Sequence, residues 1–129
     1  MPQTKIYGNA SFIAQSRQAI SDTIHSCCMD ALAFPPEKRF HRFIPLEPEN
    51  FIYPSDRSQK YIIIEISMFA GRSVDAKKQL IRLLFSRLSE QVGIAADDVE
   101  ITIAEIPNHN WGIRGKVGDE LRLNYKIDV

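Results

Sequence analysis

The chain is short of almost every residue type that would announce a specialised environment. It has only two cysteines, Cys27 and Cys28, in 129 residues. They are adjacent in what reads as a helix, where neighbouring side chains diverge and a mutual disulfide is strained, so free structural thiols are expected. The three histidines, His25, His41 and His109, stand far apart and have no second cysteine pair to join, which leaves no zinc-site spacing. An excess of either charge is missing too, because sixteen basic residues balance sixteen acidic ones. No global field draws in nucleic acid or an anionic membrane. No apolar run approaches the ~20 residues that span a bilayer, and the start, Met1-Pro2-Gln3-Thr4-Lys5, lacks the apolar core of a signal peptide. A cytoplasmic protein is expected. There is no Gly-x-Ser-x-Gly elbow for a histidine to serve, and the Asn9-Ala10-Ser11 glycosylation pattern carries no weight in the cytosol.

What the chain does have is apolar periodicity. With 44% hydrophobic residues it supports one domain, 1–129, with a real core. Ile13, Ile20, Ile24, Cys27, Cys28 and Ala31 recur at helical spacing from about Ser11 on, and Pro35-Pro36 stops that helix. On the same face His25 and Cys28 lie one turn apart, a spacing that packing explains better than a catalytic pair. Leu80, Leu83, Leu84, Leu88 and Val92 mark a second helix from Ser73 to Gly93, with Asp75 placed to meet its dipole. Residues 61–69 are almost continuously apolar and β-branched, as a central strand would be. Val99, Ile101 and Ile103 alternate with polar neighbours, and shorter strand candidates occupy 3–7 and 40–46. Strand, helix, strand thus occurs twice: an α+β chain of two βαβ units, whose helices can share one face of a single sheet. That leaves the other face uncovered. The alternation across 121–129 gives a terminal strand with one apolar face, and both features seek a neighbouring subunit. Stretches 47–60 and 108–119 have neither periodicity and read as loops.

Two features carry chemistry. Removal of Met1 would make Pro2 a chain-terminal secondary amine, and an α-amino group titrates near 7.7–8.0 before a nearby cation or apolar pocket lowers it. Such an amine is a base at neutral pH. In the second feature, Ile66-Ser67-Met68-Phe69-Ala70-Gly71-Arg72-Ser73, a strand runs through a glycine turn and an arginine into a helix N-terminus, a geometry suited to a carboxylate. An arginine that only caps a surface acid fits the same residues.

With its Met-Pro start, Pro35-Pro36, the Ala-Gly-Arg-Ser-Val run followed by Lys77-Lys78, Asp97-Asp98-Val99 and Asn110-Trp111, the chain resembles the tautomerase superfamily. It is closest to the malonate semialdehyde decarboxylase-like branch. The resemblance implies the fold of macrophage migration inhibitory factor: a mostly parallel-paired four-stranded sheet, two helices on one face, and short C-terminal strands. It also implies a homotrimer whose pocket is partly built by a neighbour, and no cofactor. Carried over by position, Pro2 is the catalytic amine, Arg72 grips the carboxylate of a small enol or 2-oxo acid, and Trp111 forms the apolar wall. Lys38 and Arg114, if they reach the pocket, stabilise negative charge on oxygen. Two departures are visible. Lys38 stands where the decarboxylases carry an acid, and Ala70 stands where they carry a second arginine. Both disfavour decarboxylation of a malonate semialdehyde-like 3-oxo acid relative to tautomerisation. A non-catalytic binding scaffold of the same fold is the other alternative. Two βαβ halves also describe RNA-binding modules, but the neutral charge and the missing aromatic signature argue against one.

Overall fold

The computed structural model describes residues 2–121. Strands β1 (Gln3–Asn9), β2 (His41–Leu46), β3 (Ile62–Phe69) and β4 (Val99–Ile106) form one sheet in the order β2-β1-β3-β4. β1 pairs parallel with β2, β3 pairs parallel with β4, and the two units meet antiparallel at β1 and β3. Helices α1 (Ala10–Leu32) and α2 (Val74–Val92) are the crossovers. The apolar stripes of both helices join one core with alternate strand residues: Ile6 from β1, and Ile62, Ile64 and Ile66 from β3. All four isoleucines are 1% exposed or less. At about 1.5–3 kcal/mol for each such side chain taken from water, the helix-facing side of the sheet holds the fold together. Opposite-face residues such as Tyr7, Ile63 and Glu65 stay only half-buried. The run 61–69 is therefore central but covered on one side in this chain.

The helix ends follow their local chemistry. α1 stops at Leu32, ahead of the proline pair, with Ala33 in the left-handed region at φ 52°. α2 opens on Ser73, whose hydroxyl accepts the Ala76 N–H, and closes on Gly93 at φ 76°. Cys27 and Cys28 are free and buried, as expected.

The stretch 108–119 departs from the loop expected of it. A 3-10 turn, Asn108–Asn110, leads into a small antiparallel hairpin, β5 (Gly112–Ile113) and β6 (Lys116–Val117), followed by a second 3-10 turn, Gly118–Glu120. Two-residue strands are too short to show alternation, and the signal is the turn itself: Arg114 and Gly115 both take positive φ, 51° and 81°, as a tight hairpin requires. The terminal strand expected at 121–129 lies outside the described residues beyond Leu121.

The two units repeat with a constant offset. Thr4 pairs with His41, and Ile64 with Ile101, each sixty residues further on. The helices end at Leu32 and Val92, and the 3-10 turns Pro48–Asn50 and Asn108–Asn110 keep the same spacing.

Candidate active site

The antiparallel meeting of β1 and β3 decides which functional groups share an end of the sheet. Gln3 pairs with Ser67, so one residue further the register sets Pro2 opposite Met68, just before β3 ends at Phe69. Pro2 is buried. Beyond Phe69 the chain is pinned by the Ala70 N–H on the Ile106 carbonyl, 2.9 Å, and turns through Gly71 at φ 127°, a conformation that a side chain would oppose. Arg72 follows at 4% exposure. Its guanidinium acts on Cys28 across the helix pair: burial first, then Cys27, pushes that thiol up to about 12, and the Arg72 charge opposes the rise. Cys28 is thus an inert packing group.

Trp111 reaches the same end from β4. It follows the turn Asn108–Asn110, and its half-buried ring lies 4.9 Å, centroid to centroid, from Phe69. Gly118 locks this wall. Its N–H donates to the Trp111 carbonyl at 2.6 Å, and a β-carbon there would stand 2.3 Å from the Asn108 carbonyl oxygen and 3.1 Å from Phe69 Cε1.

Lys38 comes from the segment between α1 and β2. Its N–H closes a turn onto the Pro35 carbonyl at 3.2 Å, and two residues on the Phe40 carbonyl accepts the Thr4 N–H at 2.9 Å, which lays the segment beside the start of β1. A cavity of about 360 Å³ opens there, lined by Gln3, Arg39, Phe40, His41 and Arg42. Helix α1 holds the segment with side chains to which the sequence reading gives no such role, His25 being read there as packing. His25 Nε2 lies 2.8 Å from the Pro36 carbonyl, Ser21 Oγ lies 2.7 Å from His41 Nδ1, and Arg39 bonds Asp22 at 2.6 Å. The sequence signal for them is the polar residues on the inner face of an otherwise apolar helix.

Pro2, Arg72, Trp111 and Lys38 therefore share one end of the sheet. Arg114 does not join them within the chain. It is exposed at the tip of the β5–β6 hairpin and lines a separate cavity of about 290 Å³ with Lys116, Glu120 and Leu121. Among the described residues no group of His, Cys, Asp and Glu is arranged to hold a metal ion, and no helix is long and apolar enough to cross a membrane.

Comparison with known proteins meets this geometry from the sequence side. The profile of a family described as "Tautomerase enzyme" matches residues 38–114. A 2-hydroxymuconate tautomerase of Comamonas testosteroni is 39% identical over 57 residues, 44% of this chain but 90% of that protein. A whole relative thus corresponds to about one repeat. Among solved structures, FG41 malonate semialdehyde decarboxylase inhibited by 3-bromopropiolate superposes with a TM-score of 0.76 at 27% identity, over 85% of this chain and 87% of that one. A fused 4-OT described as an asymmetric trimer gives 0.80 at 19% identity, over 91% and 96%, a likeness of fold.

Proposed function

Because this chain belongs to the tautomerase family, we propose that it interconverts keto and enol forms of a small 2-oxo carboxylate, with the amine of Pro2 as general base once Met1 is removed. The observation that carries this reading is the convergence at one sheet end of buried Pro2, the Arg72 turn and the Trp111 wall. Pro2 takes a proton from the enol hydroxyl, or from the carbon next to the carbonyl, and returns it elsewhere on the conjugated system. An apolar surrounding penalises the charged amine and keeps it basic but unprotonated. Arg72 meets the substrate carboxylate with a two-pronged, charge-assisted contact. Lys38 stabilises the negative charge that develops on oxygen. The chemistry needs no cofactor, because the amine is the base.

Tautomerisation is favoured over decarboxylation by the residue at Lys38, a cation in place of the expected acid, and by Ala70, which removes a second arginine from the turn. We further assign a homotrimer acting in the cytosol, in which the half-buried sheet face meets neighbouring copies and the hairpin bearing Arg114 reaches a neighbour's pocket. The fused 4-OT of similar fold, a trimer, supports oligomerisation.

The test is the ketonisation rate of an enol acid such as the enol of phenylpyruvate, measured on protein whose mass shows Met1 removed, beside Pro2→Ala and Arg72→Ala. Loss in both variants is expected. Retained Met1 without activity would turn the assignment to a binding scaffold, and variants as fast as an active parent would take the base and carboxylate roles from Pro2 and Arg72.

A further inference from the structure

The sixty-residue offset allows the first repeat to be read against the second, position by position. In the first, a polar chain ties α1 to the segment 35–41. Arg39 Nη1 donates to Ser21 Oγ at 3.3 Å, and Ser21 Oγ lies 2.7 Å from His41 Nδ1. The serine oxygen receives from Arg39 and keeps both its proton and a second lone pair for the contact with His41. Beside it, His25 is 3% exposed and its ring centroid is 6.4 Å from that of His41. A carbonyl can only accept, so Nε2 of His25 carries the proton and donates to Pro36 at 2.8 Å.

In the second repeat the corresponding positions are Ile81 for Ser21, Phe85 for His25, Val99 for Arg39 and Ile101 for His41. The same backbone therefore packs well with apolar groups at these sites. Burying polar groups is costly unless every partner is supplied, so the polar set in the first repeat is not needed to build the unit. What distinguishes the first repeat is its location: segment 35–41 flanks the Pro2 end and carries Lys38.

Resting on the tautomerase reading above, we infer that His25 is a positioning residue, which grips the Pro36 carbonyl to fix the 35–38 turn and so holds the Lys38 ammonium at the reacting oxygen. His25 touches no substrate. Its effect passes through Lys38.

The experiment is a double-mutant cycle on the full chain, with His25→Phe, the residue of the other repeat, and Lys38→Met, read as kcat and KM for enol ketonisation beside melting temperature. His25→Phe is expected to lower kcat about tenfold, in keeping with the cost of a displaced catalytic group, with KM little changed. His25→Gln, which keeps a donor for the same carbonyl, restores most of the rate. The double variant is no slower than Lys38→Met alone. Multiplying losses in the double variant, a His25→Phe protein as fast as wild type, or a Gln variant as slow as Phe would each overturn the assignment. If Pro2→Ala also retains the full rate, the tautomerase reading falls and takes this inference with it; if Pro2→Ala is inactive and the cycle multiplies, only the role of His25 falls.

Discussion

The two ends of the sheet repeat one strand arrangement with different contents. At one end stand Pro2, Arg72, Trp111 and Lys38; sixty residues away in the repeat, the other end has Ile62, Phe12, Phe51 and Asp98 in their places. Ile62 is fully buried core, and Phe12 lies inside α1, because the first unit passes from strand to helix without the glycine turn that presents Arg72. Phe51, the counterpart of Trp111, stacks 5.7 Å from Tyr61, and Tyr53 closes the cluster at 4.8 Å from each ring. Asp98 accepts the Ser58 N–H at 2.8 Å and the Ser58 hydroxyl at 2.5 Å. The connection between the units fills this end with its own aromatics and ties its acid. The repeated strand order thus supplies two comparable places, and the side chains fill them differently.

The widest separation between the ends should come from truncating equivalent residues. Pro2→Ala is expected to slow ketonisation by at least ~100-fold, the usual worth of a general base, with little change in urea midpoint. Ile62→Ala is expected to cost about 2–5 kcal/mol of stability, as core truncations do, and to leave the rate per folded molecule near that of the parent. A Pro2→Ala protein that unfolds early but turns over normally would reverse the comparison.

Next in size are two changes that each disturb one end. Gly118→Ala sets a β-carbon against the Asn108 carbonyl and the Phe69 ring, so the Trp111 wall must move at a cost of about 1–3 kcal/mol. Both rate and stability should fall. Asp98→Ala strands the Ser58 donors at the opposite end and should cost about 1–3 kcal/mol, with the rate unchanged. Comparing urea midpoints with initial rates separates them, and a slowed Asp98→Ala enzyme would mean that the far end is coupled to the near one.

Much of this was legible in the sequence, for reasons that differ by region. The helices and β3 declared themselves because their apolar residues repeat over several turns or run unbroken, and the ends at Pro35-Pro36 and Gly93 are set by backbone chemistry. Pro2 and the turn at Gly71-Arg72 were legible as residue types at a chain start and a helix start. Their meeting was not, since it depends on the antiparallel register of β1 on β3, which neither strand specifies alone. The hairpin at Arg114-Gly115 escaped because two-residue strands have no period to read. The grip of α1 on segment 35–41 escaped because a histidine on an apolar face looks like packing until its carbonyl partner, eleven residues away, is known.

The effect that emerges only on titration is a difference in acid sensitivity between the repeats. Burial, and after it the Arg39 charge, lowers the His41 imidazole to about 4, whereas the unfolded chain titrates it near 6.5. As pH falls from 6.5 towards 4 the unfolded state takes up a proton that the folded state refuses, so stability falls across that window and levels off below it. Asp22 works in a different window. The hydrogen bond from Arg39 holds its carboxyl below the ordinary 3.8, and its share is lost only as pH drops through that lower value. The second repeat has Ile101 where the first has His41, and contributes nothing between 6.5 and 4 by this route. His41→Ile should therefore flatten the decline of urea midpoint with pH in that interval, while the steeper loss at lower pH, where the carboxylates protonate, remains. An unchanged slope in the variant would move the acid sensitivity away from the segment that flanks the Pro2 end.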